Sequence, residues 1–188
     1  LSLRNKRKDE YGGGKLDNRM RFTVEVYERM RKALGKDFPI GIRINGDDFI
    51  VKGNTLLHTT RIAVRLAELG FDYISISAGG KYEDSSGTDP FGLPVPYPPW
   101  GGYSGFRCMP EAWMPEAVNV YLAEAIRQAV RRAGYRTPIM TAGRIPTPEL
   151  AEEILRREQA DLIGLCRPLI RDPEWPRKAR EGRAREIK

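Results

Sequence analysis

The 188-residue sequence has only two cysteines, Cys108 and Cys166, far apart and without C-x-x-C spacing or partner histidines. They provide neither a disulfide framework nor a zinc site. Histidine is scarcer still: the single one, His58, falls inside a helical stretch and not at a strand end, so a surface or packing role is expected for it. No apolar run approaches the ~18 residues needed to span a bilayer, and the opening LSLRNKRKDE is charged where a secretory leader turns apolar. The expectation is a chain without a membrane segment, in the cytoplasm.

Charge is plentiful. The net charge is +7, with eleven Lys/Arg against five Asp/Glu in residues 1–36 and eight against four in residues 167–188. Basic residues gathered toward two ends read as solvated helix faces, and nucleic acid is not an expected partner. The chain opens on Leu1 and stops in the charged GRAREIK, so both ends read as points inside a longer polypeptide.

Periodicity organises the middle. NRMRFTVEVYERMRKAL (18–34) places Met20, Val24, Tyr27, Met30 and Leu34 at helical spacing before Gly35; FPIGIRIN (38–45) is a short β-branched run followed by a Gly-Asp-Asp turn. Helix 55–70 and strand 72–77 follow, then helix 116–134, strand 137–143, helix 147–159, strand 160–167 and a last helix at 172–182. Strict alternation of apolar strands with amphipathic helices predicts an α/β fold with a parallel sheet. Doubly wound sheets and (β/α)8 barrels both fit, and four βα units are half of a barrel that usually needs ~250 residues. Residues 78–115, rich in Gly, Pro, Tyr and Trp, are too long for an ordinary connector, and Tyr97, Trp100, Tyr103, Phe106 and Trp113 could cap a pocket, contact a second subunit or form a satellite core.

Two strand ends carry the most informative residues. Gly143-Arg144 follows one strand and Cys166-Arg167 the next. In parallel α/β proteins ligands sit at the carboxyl ends of strands, glycine lets backbone N–H groups approach an anion, and arginine adds a forked charge. The competing reading is a tight turn with surface arginines. Arg43 interrupts the apolar strand IGIRIN, where it either meets a ligand or forms a buried ion pair with Asp47 or Asp72.

Five ordered blocks, LSLRNKRKDEYGGGKLDNRMRF (1–22), IGIRIN (40–45), YLAEAIRQAV (121–130), TAGRI (141–145) and ADLIGLCRPLIRDP (160–173), together resemble the old yellow enzyme-like NADH:flavin oxidoreductases. The resemblance implies the C-terminal half of a TIM (β/α)8 barrel: four parallel strands with helices, one partial domain over residues 1–188 with a long loop insertion at 78–115. It implies FMN as cofactor and NADH or NADPH as reductant, with hydride passing through FMN to an activated alkene or similar small-molecule acceptor.

By the same resemblance, Arg43 contacts the flavin pyrimidine edge; Ala142, Gly143 and Arg144 form one half of the phosphate cradle, and Cys166 with Arg167 the other. Cys166 departs from the Gly or Ala common in the family. The substrate-holding pair and the proton donor are expected upstream of Leu1, so no catalytic residue is assigned in this chain and the isolated half is expected to be inactive. The Gly12–Gly14 loop is expected to fold back over the barrel rim, with Arg19 and Arg21 tied to neighbouring acids. Exposed strand edges and an apolar interior imply self-association or pairing with the missing half. A non-flavin phosphate-binding enzyme and a non-catalytic interaction fragment are the alternatives.

Overall fold

A computed structural model describes residues 1–50, 52–80 and 107–188. Its elements alternate: α1 (Leu16–Leu34), β1 (Gly41–Asn45), α2 (Leu56–Leu69), β2 (Tyr73–Ser77), α3 (Val120–Arg132), β3 (Ile139–Ala142), α4 (Pro148–Arg156) and β4 (Leu162–Gly164), then α5 (Arg167–Arg171), α6 (Trp175–Arg180) and a 3-10 turn, Ala184–Glu186. The strands form one sheet in the order β1-β2-β3-β4, each pair parallel. A doubly wound sheet reverses its strand order at a switch point, whereas this sheet advances one strand per βα unit. The fold is therefore an arc of a (β/α)8 barrel, with four of its eight strands.

Alternation along the strands sorts side chains between two faces. Register pairs Ile42 with Ile74, Ile44 with Ile76, and Ile74 with Ile139, so these residues share the face that the helices cover. Ile62, Leu66, Leu122, Ile126 and Val130 close over it and are at most 2% exposed. Burial of this apolar layer is the main stabilising term, at roughly 25 cal/mol per Å². The opposite face carries Gly41, Arg43, Asn45, Tyr73, Ser75, Ser77, Met140, Ala142, Leu162 and Gly164. That face is a mixture of polar, small and apolar groups, not the apolar interior the sequence implied.

The strands begin at a repeated device. Asp72 donates its N–H to Ile40 O (2.9 Å) and accepts the Ile40 N–H at Oδ2 (2.7 Å), while Arg31 at the end of α1 reaches the same oxygen at 2.6 Å. Asp161 repeats it: N–H to Ile139 O (2.8 Å), Oδ2 from Ile139 N–H (2.8 Å) and from Arg131 (2.9 Å), with Arg127 on Oδ1 (2.9 Å). Arg31 also binds the carbonyls of Gly35, Lys36 and Phe38, and Arg131 those of Tyr135 and Thr137, so each guanidinium shapes the turn from helix to strand.

Several boundaries differ from the periodicity. α3 begins at Val120 and not at 116, because Ala117 sits at φ +56° and its N–H bonds Arg144 O (2.8 Å), which no helical residue could do. The last strand is confined to 162–164, and the helix expected over 172–182 is α6 alone, preceded by the unexpected single turn α5. His58 accepts the Thr55 N–H at Nδ1 (3.2 Å) in a capping box at the start of α2, a structural role. Arg19 is 6% exposed and holds the carbonyls of Gly13 (2.9 Å), Gly14 (2.7 Å) and Leu1 (3.1 Å), and Arg21 holds Glu10 O (3.1 Å). The partners are backbone carbonyls, not the expected acids: Gly13, at φ +83°, turns the chain so that successive carbonyls converge on one guanidinium. Tyr97, Trp100, Tyr103 and Phe106 lie outside the described residues; Trp113 is 52% exposed.

Asp72, Asp161 and Asp172 are among the carboxyls whose charged form is favoured. Asp72 is lowered chiefly by the Ile40 N–H. For Asp161, burial pushes upward, but the Ile139 N–H and the two arginines outweigh it. Asp172, 3% exposed, is lowered from the ordinary 3.8 to about 2 by Lys178 and by the N–H groups of Lys188 and Glu174. A carboxylate with a depressed folded-state pKa stabilises the fold above its unfolded value and loses that contribution as it protonates. The contribution of these three carboxylates is therefore expected to be full above about pH 4 and to be lost as pH falls from about 4 toward 2, as measured by denaturant melts of the parent chain against Asp72→Asn, Asp161→Asn and Asp172→Asn across that range. Asp161→Ala, which strands two arginines and an N–H, is expected to cost about 2–3 kcal/mol in the same assay.

Candidate functional site

The C-terminal ends of the strands open onto a cavity of about 590 Å³. Arg43, Ala142, Gly143, Arg144, Cys166 and Arg167 all line it. They come from β1, from the β3–α4 turn and from the β4–α5 turn, and only a parallel sheet with short loops brings these separate stretches to one rim.

The β3–α4 turn is built on two consecutive residues with positive φ, Gly143 at +115° and Arg144 at +52°. Glycine is required at the first. A Cβ there would lie 3.0 Å from Asn119 Nδ2, and its backbone angle disfavours any L side chain. Arg144 pays a strain cost that its surroundings hold in place: its Nε donates to Met114 O, and its carbonyl accepts the Ala117 N–H. Thr147 then caps α4 by accepting the Leu150 N–H at 3.3 Å, with Pro148 at the first helical position.

On the next turn, Cys166 precedes α5 and is exposed, and Arg167 donates from Nη2 to Pro110 O at 2.6 Å. Among the described residues, no protein group accepts from the N–H of Gly143, Arg144 or Cys166. Unengaged N–H groups on neighbouring turns, with a guanidinium beside each, form an arrangement suited to a phosphate-like anion.

Arg43 extends from the open face of β1 and is exposed; its Nη2 lies 3.3 Å from Ser77 Oγ. The ion pair weighed for it is not formed. Asp47 accepts the N–H groups of Phe49 (2.7 Å) and Leu56 (3.1 Å), where burial pushes its carboxyl up, and Asp72 serves Arg31. Among the described residues, Arg43 meets a hydroxyl and not a carboxylate. It joins Arg144, Arg167, Arg171 and Lys188 around the cavity, and among the described lining residues there is no Asp or Glu. Such a rim focuses positive potential on whatever enters.

The sequence did not single out the wall facing the cradle. Asn119, 5% exposed, donates from Nδ2 to Arg107 O (3.0 Å) and abuts Gly143, tying the segment that follows Arg107 to the β3–α4 turn. The structure puts this asparagine at the N-cap position of α3, whereas the sequence pattern placed it inside the helix. Met109, Pro110 and Trp175 complete this wall, and Cys108, exposed, lines the same cavity as Cys166. Among the described residues no group of three or more His, Cys, Asp or Glu could hold a metal ion, and no helix is long and apolar enough to cross a membrane.

Residues 1–84 and 112–186 match the model of the NADH:flavin oxidoreductase / NADH oxidase family, and the chain belongs to that family. It is 39% identical over 184 residues to the NADH oxidase of Thermoanaerobacter brockii and 36% identical over 188 residues to a metal reductase of Desulforamulus reducens. Those alignments take in 98% and 99% of this chain but 24% of each relative, so the chain spans about a quarter of their length. Among solved structures, a 2-naphthoyl-CoA reductase in complex with 2-naphthoyl-CoA superposes with a TM-score of 0.77 at 31% identity, covering 100% of this chain and 24% of that one.

Gly143→Ala is expected to destabilise the chain by about 1–2 kcal/mol, the cost of forcing an L residue into positive φ. Asn119→Ala in the same background relieves the contact at Nδ2 but also breaks the buried bond to Arg107 O and leaves the backbone strain, so it is not expected to restore the parent's thermal melt.

Proposed function

We propose that the cavity binds FMN, with the phosphate held by the turns at Gly143-Arg144 and Cys166-Arg167 and Arg43 facing the ring. The observation that carries this reading is the convergence of unengaged N–H groups and five cationic side chains, with no Asp or Glu among the described lining residues, at the C-terminal end of a parallel sheet. The fit is chemical as well as spatial. A phosphate dianion matches the two turns, and a cation at Arg43 favours a ring that gains negative charge.

In this reading the whole protein is an NAD(P)H-dependent flavin oxidoreductase that reduces an activated alkene or similar small molecule. Bound FMN would supply hydride acceptance and donation. The residues of this chain bind and orient it: Ala142 and Gly143 leave room for close approach, Arg144 and Arg167 add charge, and Cys166 contributes its backbone N–H with a side chain small enough to stand aside. No residue here is assigned to protonate a product, so the 188-residue chain is expected to bind without turnover.

Titration of the chain with FMN, read by quenching of flavin fluorescence, tests the assignment. Arg167→Ala is expected to weaken binding by about 1.5–3 kcal/mol, roughly 10- to 100-fold. Unchanged affinity removes the phosphate assignment. Binding of inorganic phosphate without FMN favours a non-flavin phosphate-binding enzyme, and binding of neither favours a non-catalytic interaction fragment.

A further inference from the structure

Arg144 and Arg167 stand at the cradle, yet among the described residues neither has a carboxylate to hold it. Both are held by carbonyls of one segment. Arg144 Nε donates to Met114 O, Arg167 Nη2 donates to Pro110 O at 2.6 Å, and the Ala117 N–H returns a bond to Arg144 O at 2.8 Å. A long guanidinium side chain loses much rotamer freedom when it is fixed, so its partner must itself be well placed. What fixes residues 108–117 therefore decides where two charges of the cradle point.

That segment is pinned at its start by an arginine that does not line the cavity. Arg107 is 1% exposed, and its guanidinium keeps its charge even when buried. Its Cζ lies 5.2 Å from the centre of the Phe49 ring, and its Nη1 donates to Val118 O at 3.4 Å. Its carbonyl accepts Asn119 Nδ2 at 3.0 Å. Phe49 is held for this contact: it sits at φ +49°, with its N–H on Asp47 Oδ1 at 2.7 Å. Burial pushes the Asp47 carboxyl up, and the charge of Arg107 works against that push. One chain of contacts thus runs from the β1–α2 loop through Arg107 and Asn119 to Gly143. Packing alone would be served by an aliphatic side chain, without a charge to desolvate.

We propose that Arg107 is a positioning residue for the anion cradle: docked on Phe49, it fixes residues 108–117 against the β3–α4 and β4–α5 turns and so aims Arg144 and Arg167 into the cavity. It acts through those two arginines and touches no ligand. The role deepens the FMN reading and rests on it for the identity of the anion.

Hydrogen exchange of the chain without ligand tests the positioning by itself. Arg107→Leu is expected to speed exchange of the Ala117 amide by about tenfold, while the amides of Asp72 and Asp161, bonded to Ile40 O and Ile139 O, keep their protection. Titration then compares FMN with riboflavin, which lacks the phosphate. Arg107→Leu is expected to weaken FMN by about tenfold and to leave riboflavin unchanged, and in an Arg144→Ala/Arg167→Ala background to weaken FMN no further. Phe49→Leu removes only the ring under the guanidinium; it is expected to move both readouts in the same direction and carries the test where Arg107→Leu does not fold. An Ala117 amide that stays protected, or protection lost equally at Asp72 and Asp161, overturns the proposal. So does an equal loss for FMN and riboflavin, or a further loss in the double background. A parent chain that binds no FMN removes the flavin reading alone, and the exchange result then decides the role of Arg107.

Discussion

The structure depends on a pair of carboxylates that close the N-terminal ends of neighbouring strands. Asp72 and Asp161 each exchange two hydrogen bonds with the backbone of one residue of the preceding strand segment, Ile40 or Ile139, and each is held by an arginine from the helix before that strand. A parallel pair has no hairpin to set its register. Here, a charged side chain performs that task, and a one-residue slip would break both backbone bonds and turn Ile42 and Ile44 away from the helices.

With register fixed at one end, the other end is free to hold irregular backbone. Gly143 and Arg144 carry consecutive positive φ values, and Ala117 adds a third beside them, joined to Arg144 by a backbone bond. These are locally unfavourable conformations. They persist because buried Asn119 and the carbonyls of Pro110 and Met114 fasten the segment after Arg107 to both turns. The cavity is thus bounded by the strained β3–α4 turn and the β4–α5 turn on one side and by a strapped-down connection on the other, while the sheet beneath supplies the rigidity.

Much of this was legible in the sequence, and the losses have physical causes. Helices and strands announced themselves by period, and Gly143-Arg144 and Cys166-Arg167 were visible because glycine and arginine at strand ends are chemically conspicuous. The start of α3 was hidden because Ala117 takes its conformation from a bond to Arg144, 27 positions along the chain, which no local pattern records. Asn119 looked like an ordinary helical residue for the same reason. Arg43 invited the search for a counter-ion because it interrupts an apolar strand, whereas alternation puts it on the face opposite the buried isoleucines, beside the Ser77 hydroxyl. Arg19 and Arg21 were matched to acids by charge, although turns rich in glycine offer bare carbonyls that a guanidinium accepts equally well.

The two carboxylate clamps also divide the chain. One ties α1, β1 and β2, the other α3, β3 and β4, and across the β2–β3 junction the corresponding bond is backbone alone, from Ile74 N–H to Pro138 O at 2.9 Å, with proline unable to return it. The half barrel is accordingly two self-registering modules joined along a seam. The long segment between β2 and α3 enters at that seam, the one connection between successive strands where extra length can be added or removed without cutting through either module.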